Sequence, residues 1–284
     1  MASEPLAPQS KVMPPTENPL ADAYLRVCKR CLMRGTYRTP ARVEGRNRWY
    51  LYAAAAGLVR PFGFELVRRI DPKERDEGRN FTTDADTMIG SQRLDNLQAC
   101  VVDVIRRNVP GDLIETGVWR GGASIFMRAV LHAYAITDRT VWLADSFQGL
   151  PKPDPERYPA DAHDTLWAAS ALAASVDEVK ANFSAYGLLD DQVRFLVGWF
   201  KDTLPTAPVD RLAVLRLDGD LYESTMDALT ALYPRLSVGG YVIVDDYGAM
   251  ESCRKAVDDF RADRGIDDPV ERIDWTGVFW QRSR

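Results

Sequence analysis

From Asp112 onward, short apolar runs alternate with longer amphipathic stretches. The runs are DLIETG, TVWLADS, VRFLVG, LAVLRLDGD and GYVIVDD, separated by helical patterns such as GGASIFMRAVLHAYA, SVDEVKANFSAYGL, ESTMDALTALYPRL and CRKAVDDFRADRG. This alternation, with apolar strands, predicts an α/β fold on a parallel sheet covered by helices on both faces. The closing stretch ERIDWTGVFWQR divides into two strand-like runs about Thr276-Gly277 and predicts a terminal antiparallel hairpin. Upstream the pattern is helical, with breaks at RTPAR, RPFG and the polar run RIDPKERDEGRNFTTDAD. Three parts are therefore expected: a Pro-rich, disordered leader over residues 1–20, an N-terminal helical lid region over 21–110, and the α/β domain over 111–284.

Composition narrows the possible partners. The 284 residues are 46% hydrophobic, enough for a sizeable core, and the formal charge of −5 provides no basic stripe for nucleic-acid phosphates. The longest uninterrupted apolar candidate, near LYAAAAGLV, ends at Arg60-Pro61, well short of the ~18 residues a membrane span needs. The N-terminus lacks a hydrophobic signal-peptide core, so a cytoplasmic protein with neither nucleic-acid nor membrane partners is expected. Cys28 and Cys31 form a CxxC, but no second Cys or His pair completes a zinc set, and two small residues on one helix face explain the spacing as well.

Polar signals recur where the predicted strands end: Glu115, Asp145, Gly198, Asp218 with Asp220, and Asp245 with Asp246. In an open α/β sheet that edge binds ligands where the strand order reverses. IETGVWRGG places Glu115, Gly117, Gly121 and Gly122 between the first strand and its helix. The spacing departs from the dinucleotide fingerprint, which argues against a dehydrogenase, and the preceding acid suits a cationic ligand better than a pyrophosphate. Asp145, after the second strand, is placed to accept hydrogen bonds from a ribose diol. A glycine turn and a helix-capping Asp would look the same locally. The irregular stretch FQGLPKPDPERYPADAHDTLWAAS is long enough to be an acceptor-pocket wall, with Tyr158, His163 and Trp167 as contacts.

The motifs IETGVWRGG, LADSFQGLP, VGWFKDTLP, RLDGDLYES and YVIVDDYG, in order over about residues 80 to 284, resemble the macrocin O-methyltransferase family, which includes sugar O-methyltransferases of the mycinamicin and novobiocin type. The resemblance implies a Rossmann-like class I S-adenosylmethionine-dependent methyltransferase with a seven-stranded sheet, a bound Mg²⁺, an acceptor hydroxyl on a deoxysugar of a natural product, and a homodimer. It also implies that Gly117 and its neighbours, Gly121 included, follow the methionine part of the cofactor, with Glu115 near its amino-acid end. Asp145 and Ser146 would hold the ribose, Trp199 beside Gly198 would lie against the adenine edge, and Thr87 with Met88 would cover the cofactor. For Trp199 an ordinary core position is the alternative, and for Thr87 and Met88 a helix start.

Neighbouring parallel strands lie about 4.8 Å apart, so Asp218, Asp220, Asp245 and Asp246 can converge on one cation. Oxygen ligands without Cys or His select a hard ion, Mg²⁺ above Zn²⁺. The resemblance assigns Asp218, Asp245 and Asp246 to the metal and Asp220 to the general base. His163 is a rival base, and a turn Asp with a helix cap is the structural alternative. The competing functions are a catechol-type O-methyltransferase and a non-catalytic nucleoside-binding scaffold. A scaffold would gain only repulsion from four aligned acids with no cation between them.

Overall fold

The computed structural model describes residues 18–34, 61, 71–79 and 85–284. The leader through residue 17, the break at RTPAR and most of that at RPFG lie outside the described residues. Helix α1 (Pro19–Leu32) starts with Pro at its first position, and Asn18 Oδ1 accepts from the Ala21 N–H at 3.1 Å. Its buried residues Ala21, Leu25, Cys28 and Leu32 follow helical spacing. The CxxC thus lies partly in packing, and burial pushes the Cys28 thiol up to about 12, which keeps it unreactive. Helix α2 (Pro72–Asp76) carries the buried Arg75, whose guanidinium donates to the carbonyls of Met33 at 3.0 Å and Thr87 at 2.8 Å. That arginine pins the end of α1 to the Thr87–Met88 strap.

Beyond α3 (Ser91–Arg106) the expected alternation appears. Strand β1 (Asp112–Thr116) leads to α4 (Gly122–Ala133), β2 (Val141–Asp145) to α5 (Val176–Ala185), and β3 (Val193–Val197) to the short α6 (Phe200–Thr203). Strand β4 (Leu212–Leu217) precedes α7 (Tyr222–Leu232), β5 (Leu236–Val244) precedes α8 (Glu251–Arg264), and β6 (Glu271–Arg272) and β7 (Val278–Gln281) close the chain. The seven strands form one sheet in the order β3-β2-β1-β4-β5-β7-β6, with the first five parallel and β7 antiparallel between β5 and β6. The predicted terminal hairpin is the β6–β7 pair.

Successive side chains of a strand point to opposite faces, so Leu113 and Ile114 enter separate cores. One core contains Leu25 of α1, Leu94 of α3 and Phe126 of α4, and the other contains Leu229 of α7 and Phe260 of α8. The described part of the N-terminal region is therefore packed into the α/β core. Phe126 is fully buried there, and Phe126→Ala is expected to lower unfolding stability by about 3 to 5 kcal/mol, read as a lower urea midpoint at unchanged slope.

Candidate functional site

Register sets the level of the site. Thr116 pairs with Leu217 and Leu217 with Val244, so Gly117, Asp218 and Asp245 leave their strands side by side. The ladder runs one step farther: Asp218 N–H donates to Thr116 O at 2.8 Å and Asp245 N–H to Leu217 O at 2.9 Å. The chain goes one way from β1 to β2 and the other from β4 to β5, so the edge between β1 and β4 is the switch point. Gly117 has φ +83°, and a Cβ there would stand 1.6 Å from the Asp218 carbonyl oxygen. No other residue fits where these two turns meet.

A cavity of about 310 Å³ opens at this edge, lined among others by Met88, Gly117, Asp145, Trp199, Asp218 and Asp220. Asp145 receives the Val118 N–H at 2.6 Å and the Trp119 N–H at 3.3 Å on one carboxylate oxygen, and the Phe147 N–H at 2.7 Å on the other. It thereby clamps the glycine turn to the turn after β2. Burial raises its carboxyl pKa against the pull of those N–H groups. Ser146 also lines the cavity, and its hydroxyl donates to Gly149 O at 2.7 Å. Trp199 stands in the wall, half-buried, outside both core clusters.

Four residues of the sequence-based cofactor set do not line the cavity. Thr87 is buried within the strap, and Gly121 caps α4 with φ +89°. Gly198, at φ +141°, donates its N–H to Asp145 O at 2.9 Å. Glu115 is buried with its carboxylate between Arg216 Nη1, at 2.5 Å, and the Ser124 hydroxyl. Burial pushes the Glu115 carboxyl up to about 7, against the opposing influence of Arg216 and Ser124. Tyr158, His163 and Trp167 do not line the cavity; residues 149–152 of the same segment do, as does Leu172 just beyond it.

The acids at the ends of β4 and β5 converge. Asp218, Asp245 and Asp246 each bring a carboxylate oxygen within 4.8 Å of the others. Asp220, beside them, is in the left-handed region, φ +57°, its N–H 3.4 Å from Asp246 Oδ2. A non-glycine residue held there stores strain of the kind that collects at functional sites. Burial, then the Asp218 and Asp245 charges, push the Asp220 carboxyl up to about 8. Burial and Asp245 raise Asp218, and burial with Asp220 holds Asp246 well above the carboxylate range.

Sequence reasoning missed the cations that hold this group. Arg216, in the middle of the apolar run LAVLRL, donates from Nη1 to Asp218 Oδ2 at 2.7 Å and from Nη2 to Asp245 Oδ1 at 2.5 Å, besides its bond to Glu115. Burial opposes the guanidinium charge, but Asp218, Asp245 and Glu115 hold its pKa well above the ordinary value. Arg93 of α3 donates to the other Asp245 oxygen and, at 2.9 Å, to Asp274. An arginine inside a fully buried strand was the one local signal. Removing it leaves buried carboxylates unpaired, so Arg216→Ala is expected to destabilise the fold by about 3 to 5 kcal/mol in chemical denaturation. A loss under ~1 kcal/mol would show that the cluster is not held by this guanidinium.

The chain is similar to proteins of known activity. The Macrocin-O-methyltransferase (TylF) family matches residues 21–282. Demethyldecarbamoylnovobiocin O-methyltransferase of Streptomyces niveus is 60% identical over 211 residues, 74% of this chain and 80% of that protein. Mycinamicin III 3''-O-methyltransferase of Micromonospora griseorubida is 57% identical over 212 residues, 74% and 83% of the two chains. Among solved structures, the O-methyltransferase NovP has a TM-score of 0.82 at 50% identity, covering 93% of this chain and 100% of that one. The calicheamicin methyltransferase CalS11, at 18% identity and a TM-score of 0.56 over 84% and 95% of the chains, shares the fold. The chain belongs to the macrocin O-methyltransferase family and is an O-methyltransferase with the class I methyltransferase fold.

Proposed function

We propose that this enzyme methylates a deoxysugar hydroxyl of an antibiotic-type glycoside, using S-adenosylmethionine and a Mg²⁺ ion. The observation that carries the reading is the convergence of three carboxylates, Asp218, Asp245 and Asp246, beside a cavity lined by Asp218, Asp220, Asp145 and Gly117. The names of the relatives, which include a mycinamicin and a novobiocin-type enzyme, support the sugar acceptor.

The residues present fit both groups. Asp218, Asp245 and Asp246 offer oxygen alone, the donor set of a hard divalent cation, and several acids crowded around two arginines leave excess negative charge for it to offset. Arg216 shares Asp218 and Asp245 with the ion site, which a carboxylate with about four lone-pair positions allows. The bare backbone at Gly117 and the acceptor oxygens of Asp145 fit the polar ends of an adenosyl amino acid. When bound, S-adenosylmethionine supplies the activated methyl group, and the cation supplies the Lewis acidity that makes an acceptor hydroxyl more acidic.

The protein's own work is alignment and proton removal. Asp220, set apart from the three ligand candidates by its turn, takes the hydroxyl proton on its carboxylate. Asp145 fixes the ribose and holds the glycine turn, and Trp199 with Met88 closes the cavity around the nucleoside, excluding water and keeping the reacting atoms in line.

Mass spectrometry of the enzyme with S-adenosylmethionine, Mg²⁺ and a panel of glycosylated natural products and catechols tests this. The expected result is monomethylation of glycosides, lost on chelation and restored by Mg²⁺. Full turnover in metal-free buffer, or methylation of catechols alone, would overturn the reading.

A further inference from the structure

The turn that carries Asp218 and Asp220 leads directly into α7, and the start of that helix has a local defect. The first N–H groups of a helix need acceptors, normally supplied by a Ser, Thr, Asp or Asn at the cap. Here the cap position is Leu221, whose side chain can accept nothing. The acceptor arrives from far upstream: Asp161 takes the Tyr222 N–H at 2.7 Å on one carboxylate oxygen and the Glu223 N–H at 3.0 Å on the other. Asp161 is 1% exposed, so no water competes for these bonds, and its charge faces the positive end of the helix.

Asp161 ends a short 3-10 turn, Pro159–Asp161, in the long segment between β2 and α5. The adjoining Tyr158 ring lies 6.1 Å from the Tyr222 ring, so the docking has an aromatic contact beside the polar one. Farther along the segment, the Ala171 carbonyl accepts from Trp119 Nε1 at 2.9 Å, which fixes the segment to the glycine turn. Between those anchors and β2, residues 149–152 form part of the cavity wall. One segment thus lines the cavity and caps the helix next to the proposed base.

We propose that Asp161 is a positioning residue, whose carboxylate, by capping α7 from the β2–α5 segment, fixes the strained turn at Asp220 and makes the placement of the base depend on the docking of that segment. The inference rests on the methyltransfer reading of Asp220. Asp220 is two residues before the capped N–H of Tyr222, and its remaining anchors are single bonds: its N–H to Asp246 and its carbonyl to the Ser252 hydroxyl at 3.2 Å. Fraying of the first turn of α7 would let the left-handed Asp220 relax and move its carboxylate off the hydroxyl, and a displacement of about 1 Å is enough to cost roughly a hundredfold in rate.

The test compares Asp161→Ala and Asp161→Asn with the wild-type enzyme. Asn keeps one acceptor oxygen of the two, so kcat should fall in the order wild type, Asp161→Asn, Asp161→Ala, by about tenfold to a hundredfold at the end of the series. S-adenosylmethionine affinity by calorimetry should stay within about twofold, because Asp161 touches no residue of the nucleoside end. Hydrogen–deuterium exchange of peptides over residues 218–225 should quicken in both variants while strand β4 stays protected. An Asp161→Ala enzyme with wild-type kcat, or one whose exchange over 218–225 is unchanged, would overturn the proposal. The exchange measurement needs no turnover, so it reports on the cap even where the wild-type enzyme methylates no glycoside, an outcome that would count against the sugar acceptor alone. Should Asp161→Ala fail to fold, Asp161→Asn carries the same comparison.

Discussion

The site depends on one buried guanidinium. Arg216 stands in the middle strand of the sheet and bonds to carboxylates from three adjacent strands: Glu115 of β1, Asp218 at the end of β4 and Asp245 at the end of β5. Taking such charges out of water costs several kcal/mol per ion, and the cost is offset only where geometry and partners are nearly complete. Once Arg216 is committed to the sheet interior, the acids around it are fixed in number and direction. Arg93 extends the cluster to α3 and to Asp274 in the turn before β7, so Asp245 and the terminal hairpin are both held by the same guanidinium of the helical region.

The features near the cavity follow from crowding polar groups at one edge. Trp119, Phe147 and Asp220 all have positive φ without being glycine, and they lie in the turns that leave β1, β2 and β4. Each is held by hydrogen bonds that outweigh its strain: Asp145 grips the Trp119 and Phe147 N–H groups, and Asp246 and Ser252 grip Asp220. The glycine turn and the acidic turn touch at Gly117 and Asp218, so the part of the cavity suited to a nucleoside and the part suited to an acceptor form one rigid edge.

Much of this was legible in the chain. Alternation of apolar runs with amphipathic stretches predicted the parallel sheet, and the recurrence of acids and glycines at strand ends located the edge. Asp145, Gly117, Asp218 and Asp220 could be found this way because each stands at the C-terminal end of a strand or within three residues after it. Glu115 looked the same in sequence, but it lies within β1 and its side chain turns inward to Arg216, a partner 101 residues away. Asp161 and Arg93 left no local trace, since a borrowed cap and a buried ion pair are defined by contacts 61 and 152 residues apart. Helical periodicity marked the buried face of α1 without revealing that the face packs on the same core as the sheet.

The central claim is a division of labour among four neighbouring carboxylates, and the Mg²⁺ dependence of two variants tests it most directly. Rates should be followed over a Mg²⁺ titration for Asp220→Asn and Asp246→Asn against the wild-type enzyme. Asp220→Asn should lose about 10²- to 10⁴-fold in kcat at every metal concentration, with the half-saturating Mg²⁺ unchanged. Asp246→Asn should raise the half-saturating Mg²⁺, and excess metal should recover part of its rate. Recovery of Asp220→Asn by added Mg²⁺, or a fully active Asp220→Asn, would contradict the account.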